Sequence, residues 1–182
     1  MRIQRTCLFC REPTPKSEEE HIKLRMKRIE ANDPVALRQE GGLQHKKGDY
    51  QTAFDYYTKA TALGDAQAHY LLSFLYHSGQ GVDKNVRKGI HHMEKAAIGG
   101  HPEARFNLGV IECTNGNVKR AVKHWVIAAT QGEDQSIKFL MELFRGGIFS
   151  KDVLAAALRA HHAAVDATKS PQRKEAEEMM SR

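Results

Sequence analysis

The sequence predicts an all-α solenoid of about four antiparallel helix pairs, with one helix before the array and a polar helix after it. Three observations carry this. Lys59-Ala60-Thr61-Ala62-Leu63-Gly64 recurs as Lys95-Ala96-Ala97-Ile98-Gly99-Gly100 and again as Ile127-Ala128-Ala129-Thr130-Gln131-Gly132, at spacings of 36 and 32 residues. A small residue recurs early in each unit, as Ala36, Ala68, Ala104 and Ser136, spaced by 32, 36 and 32. Gly64, Gly100 and Gly132 close each of the three endings, where a residue tolerant of positive φ suits a helix stop. A period of this size makes each unit one helical hairpin, too small to bury its own apolar face and stable only when stacked.

The elements follow in order. Two prolines within residues 11–16 mark an extended connector. Ser17 with Glu20 gives a capping-box pattern, Glu18, Glu19 and Glu20 fill the first turn, and Lys27 and Arg28 lie near the end, so the charges match the helix dipole. Ile22, Met26 and Ile29 form one apolar stripe, which is expected to dock on the first repeat. Residues 17–31 are thus an N-terminal helix, and the repeats begin at residue 32. Asp33 caps the first unit with Pro34 at the first helical position. Asp65 is expected to cap the second, Pro102 to stand in the first turn of the third, and Asp134 to cap the fourth. Each unit opens with a helix A of about twelve residues, on whose small residues neighbours approach closely.

Helix B is equally regular. Phe54, Ile90 and Val122 share one slot, and Tyr57, Met93 and Trp125 share another. These are core positions facing the neighbouring helices. The A–B turns are short at Lys47-Gly48-Asp49 and Asn115-Gly116-Asn117, and longer at residues 78–85. The fourth unit turns at Gly146-Gly147, with Ser150 as the cap of a helix reaching about Thr168. Ser170-Pro171 then restarts a charged segment, so residues 169–182 read as a C-terminal polar helix or tail.

Composition narrows the function classes. The chain has 182 residues, a net charge of +6 and 41% apolar residues, enough for a continuous core. No run of about 18 apolar residues exists, which predicts no membrane helix. The first twenty residues contain no apolar stretch of signal-peptide length, and three cysteines do not make a disulfide framework, so a cytoplasmic or nuclear setting is expected. Residues 1–31 hold eight Lys/Arg against five Glu, but Lys23-Leu24-Arg25-Met26-Lys27-Arg28 lacks an aromatic for base stacking. A basic nucleic-acid binder is therefore the weakest reading.

The second unit reads Leu72-Ser73, Tyr76, Gly79-x-Gly81-Val82, Asn85, Lys88-Gly89, His92-Met93, Lys95-Ala96-Ala97 and Gly100. This resembles the Sel-one-like repeat (SLR), a cousin of the tetratricopeptide repeat, over roughly residues 33–168. The resemblance implies a right-handed α/α superhelix that acts as an adaptor in protein complexes. The first unit departs from it. Glu40 occupies the slot of Leu72 and Leu108, Gln44 that of Tyr76, and Gly41-Gly42 falls in mid-helix at about 1 kcal/mol each relative to alanine. An unpaired buried Glu40 would be costly. It is expected either to face solvent or to distort the unit, unless the N-terminal helix repairs it.

Cys7-Leu8-Phe9-Cys10-Arg11-Glu12-Pro13 resembles the final Cys-x-x-Cys of a RING-type zinc finger, with Leu8 in place of the usual proline. RING fingers followed by SLR units occur in a repeat family expanded in diatoms and related algae. That resemblance implies that residues 1–16 are the remnant of such a finger plus a linker, that Cys7 and Cys10 are half of a zinc site, and that the whole is a ubiquitin ligase whose substrate-binding part is the solenoid. Taken alone, two thiolates leave zinc half-coordinated. Pro13 and Pro15 follow where a redox pair would want a helix N-terminus. Cys113 reads as a core cysteine.

No other catalytic or cofactor signature emerges. Gly79-Gln80-Gly81 is a repeat turn without a following Lys-Ser or Lys-Thr. His91-His92 and His161-His162 are adjacent pairs that project about 100° apart and so do not face one ion. His92 and His124 share a slot with Tyr56 and are expected to pack between helices B. The expected function is non-catalytic: a monomeric scaffold without a cofactor, binding a protein or peptide on the concave face lined by helices A. Its candidate contact residues, taken as exposed helix A positions, are His69, Arg105, Asn107 and Lys138.

Overall fold

The computed structural model describes residues 17–168, and these form nine α-helices and no strand. They are α1 (Glu18–Glu30), α2 (Pro34–Lys46), α3 (Tyr50–Ala62), α4 (Ala66–Ser78), α5 (Val86–Ile98), α6 (Pro102–Thr114), α7 (Val118–Thr130), α8 (Asp134–Arg145) and α9 (Lys151–Thr168). Helices α2/α3, α4/α5, α6/α7 and α8/α9 are the four hairpins. Each packs on the next, giving an all-α repeat superhelix preceded by α1.

The caps show why the chain breaks where it does. Ser17 Oγ accepts from the Glu20 N–H (3.2 Å), Asp33 from Val35 and Ala36, and Asp65 from Ala68 (2.7 Å). The third unit is capped by a residue the sequence did not nominate. His101 Nδ1 accepts from the Ala104 N–H (3.2 Å), so Nε2 carries the proton and donates to Gln67 Oε1 (2.7 Å). The fourth cap also differs. Glu133 accepts from Gln135 and Ser136, while Asp134 begins the helix and meets His161 at 2.9 Å.

Small residues in helix A and large ones in helix B interlock. Trp125 is fully buried and its Nε1 donates to the Phe106 carbonyl (3.2 Å). The indole fills the space a β-carbon would take on Gly109, and the Tyr57 ring does the same at Gly41, with ring atoms 2.6 and 2.7 Å from an ideal Cβ. The mid-helix Gly41 is therefore the seat of an aromatic ring. Gly42 has no such reason, since the nearest atom to its Cβ position is Tyr57 Oη at 3.8 Å.

The long turn of the second unit joins two hairpins. Gly79 ends α4 at φ 77°, its N–H donating to the Leu75 carbonyl. Gly81 (φ 68°) lies flat against the Tyr50 carbonyl at the start of α3, where any β-carbon would overlap backbone. Val82 packs on the first core cluster, and Asn85 caps α5 by accepting from the Lys88 N–H (3.0 Å).

The first unit is neither distorted nor open to water at Glu40. That side chain is 8% exposed and lies beneath α1, where Arg25 Nε donates to Oε2 (2.8 Å) and Gln44 Nε2 to Oε1 (2.6 Å). The α1 stripe does not dock as expected. Ile29 reaches the core, but Ile22 and Met26 are exposed, so the Arg25–Glu40 and Arg28–Asp33 ion pairs share with Ile29 in holding the helix. Cys113 sits near the end of α6, half-buried against the last core cluster. Residues 1–16 and 169–182, with the expectations for Cys7, Cys10 and the C-terminal polar segment, lie outside the described residues.

Candidate partner-binding surface

Successive helices A touch through one repeating slot. Arg38 donates through Nε to both carboxylate oxygens of Asp65, the cap of the next helix A (3.0 and 3.1 Å). Tyr70, one unit on, stacks on the His101 cap with ring centroids 4.2 Å apart. Phe106 meets Phe139 edge-on at 5.4 Å. Lys138 occupies the same slot in α8, where no further cap follows among the described residues, and it is exposed.

Phe74 stands on this face, 44% exposed, and separates two recesses. One, of about 420 Å³, runs between α4, α5 and α6 and is lined by Phe74, His77, Val86, Met93, Val110 and Ile111 among others. The other, of about 190 Å³, is formed by His45, Tyr57, Leu71 and Leu75 on the far side of the same ring. An exposed aromatic between two apolar hollows is the kind of anchor pair a peptide side chain fills.

The sequence-nominated residues are not all exposed. His69 is half-buried and its Nδ1 lies 2.9 Å from His92 Nδ1, with His92 in turn stacked on Tyr76. His92 thus pairs with helix A of its own hairpin and not with His124, contrary to the expectation from their common slot. Arg105 is half-buried, with one terminal nitrogen donating to the Ala97 carbonyl (2.7 Å). Asn107 lines the larger recess and donates to Tyr70 Oη (3.2 Å). His69 and Arg105 share one helix A slot, which points at helix B, so exposure is as expected for Lys138 alone.

Sequence reasoning passed over Phe74. It occupies a slot held by Gly42, Val110 and Glu142 in the other units, a slot with no consistent core character, and an aromatic there was the available signal.

Burial, strengthened by the charge of nearby His69 and His91, pushes His92 down to about 4. His69, His101 and His124 are held below the usual histidine range, burial being the main cause in each. These rings are structural and neutral near pH 7. His161 is buried against Asp134, while His162 and His91 are exposed. Among the described residues no group of three His, Cys, Asp or Glu could hold a metal ion, and no helix is long and apolar enough to cross a membrane.

Fold and surface define a helical-hairpin repeat protein. The chain matches the Sel1 repeat family over residues 35–65, 66–101 and 102–133, and it belongs to that family. Sel1 repeats mediate protein–protein interaction. A solved Sel1 repeat protein from Oxalobacter formigenes superposes with a TM-score of 0.63 at 28% identity, over 84% of this chain and 66% of that one. The SLR-fold protective antigen c5321 of uropathogenic Escherichia coli superposes with a TM-score of 0.59 at 23% identity, over 83% of this chain and 34% of that one, a likeness of fold alone. The ERAD-associated E3 ubiquitin-protein ligase component HRD3B of Arabidopsis thaliana is 31% identical over 113 residues. The match takes in 59% of this chain and only 18% of that protein.

Proposed function

We propose that this chain is a non-catalytic adaptor, without a resident cofactor, that holds a protein or peptide on the concave face made by α2, α4, α6 and α8. The observation that carries the reading is the exposed Phe74 between two apolar recesses, in line with the exposed Lys138. Asn107 contributes to the larger recess. His69 and Arg105 set the spacing of helices beneath it. The chain acts as a monomer in the cytoplasm or nucleus in this reading.

The test is a comparison of partner capture and stability. Phe74→Ala and Lys138→Ala are expected to weaken capture of a partner by protein that remains folded, Lys138→Ala without change in melting temperature and Phe74→Ala with only the small loss of its edge-on contact with Tyr70. Unchanged capture by both variants removes this face as the site.

A second reading is favoured by the similarity to a ligase component. In it the solenoid holds substrates for a RING-type ubiquitin ligase, and Cys7 and Cys10 belong to a finger completed elsewhere. Two thiolates alone do not fit a zinc site, which wants four ligands. Elemental analysis of the chain extended upstream is expected to find stoichiometric zinc in this reading. Zinc-free protein with full partner binding leaves the adaptor reading alone.

A further inference from the structure

On another side of the solenoid lies a groove of about 630 Å³ between α7, the turn at 146–150 and the start of α9. Val122, Val126, Ile127, Ile148, Phe149 and Val153 form its floor and walls, and Ile127, Ile148 and Val153 are exposed large apolar side chains that converge there. Among the described residues its charged lining is Lys119 and Lys123, one helical turn apart on α7. Neither lysine is ion-paired to a described residue. No carboxylate of the described residues lines the groove.

The end of α7 adds to the same field. Asn117 makes no side-chain cap; its amide nitrogen donates to Glu112 Oε2 (2.9 Å), a carboxylate that also pairs with Arg120 (3.0 Å). The uncapped first turn of α7 opens beside Lys119, Arg120 and Ile148 in a hollow adjoining the groove. Two lysines with no ion pair among the described residues, along one edge of an apolar trough, make an electrostatic match for negative charge beside an apolar stripe.

We infer that this groove docks an acidic amphipathic helix of a partner protein, its apolar stripe on Ile127, Ile148 and Val153 and its carboxylates toward Lys119 and Lys123. A groove between two helices receives a third helix ridge well. The concavity speaks against a flat bilayer as the occupant. The site involves none of the Phe74 surface, so it stands or falls separately from the adaptor reading above.

The test uses the whole chain and a fluorescein-labelled synthetic helix with leucines on one face and glutamates on the other, beside a counterpart carrying lysines. The acidic peptide is expected to bind saturably, with affinity falling as salt rises. Lys119→Glu with Lys123→Glu is expected to weaken it at least about tenfold, and Phe74→Ala to leave it unchanged. Any of four results would overturn the inference. The first three are equal binding of both peptides, an affinity within about twofold in the double lysine variant, and retention on phosphatidylserine vesicles without peptide binding. Loss of the peptide in Phe74→Ala would assign it to the other face and overturn it as well.

Discussion

The Arg25 guanidinium lies 2.8 Å from the Glu40 carboxylate, joining a helix outside the repeat period to a slot that holds leucine in every other unit, as Leu72, Leu108 and Leu140. α1 is therefore the first layer of the solenoid, matched to a defect in unit one. Removing one partner of such a pair leaves a buried charge, whereas replacing both by apolar groups is close to neutral. Arg25→Ala is expected to lower the unfolding free energy by about 1–3 kcal/mol, the lower part of the range reflecting partial exposure of the arginine. Arg25→Ala with Glu40→Leu is expected to recover most of the loss. A urea double-mutant cycle checks both. Equal losses in the single and double variants would show that the pair is not what seats α1.

The two adjacent glycines of α2 should respond with opposite signs. Gly42→Ala gains helix propensity and meets nothing closer than Tyr57 Oη at 3.8 Å, so it is expected to stabilise by about 0.5–1 kcal/mol. Gly41→Ala drives a methyl into the Tyr57 ring and is expected to destabilise by about 1–3 kcal/mol. Gly109→Ala is expected to follow Gly41, with Trp125 in the part of Tyr57. Thermal unfolding of the three variants decides it.

Gly81→Ala combines a positive φ with an overlap against the Tyr50 carbonyl. It is expected to loosen the contact between the second-unit turn and α3, lowering the melting temperature more than Gly48→Ala, where nothing lies within 4 Å and only φ is strained. Equal losses would show that φ, not the close approach, governs the turn.

Acid should weaken the fold through His92. Its folded value of about 4 lies below the ordinary 6.5, so the fold favours the neutral ring. Stability is whole above pH 6.5, falls as the pH drops from 6.5 toward 4, and levels off below. Protonation of both His69 and His92 would also bring two N–H donors together across 2.9 Å. His92→Gln is expected to flatten the urea midpoint between pH 6.5 and 4. An unchanged slope in that variant would move the effect to His69, His101 or His124.

The fold was legible because it is periodic. Small residues, caps and closing glycines repeat at 32 and 36, and the backbone has little choice once each hairpin must stack. What failed to show was aperiodic. Glu40 stood out as a polar residue in a leucine slot and repair by the N-terminal helix was among the expectations, but which residue of that helix would meet it, Arg25, 15 residues upstream, was not legible. His101 was invisible as a cap because histidine is a rare one. At the surface, period gave the slot but not its direction. His69 and Arg105 turn inward to helix B, while Lys138 is exposed and meets no cap among the described residues. Phe74 was missed since only the packing of three helices leaves its ring between two hollows.

The central claim is that the helix A face around Phe74 meets the partner. Photo-crosslinking in cells tests it most directly, with benzoylphenylalanine placed at Phe74 or Lys138 and, as controls, at Asp55 or Glu94, exposed positions on helices B. The same covalent protein adduct is expected from Phe74 and Lys138 and none from Asp55 or Glu94. Adducts from the helix B positions with none from Phe74 would contradict it.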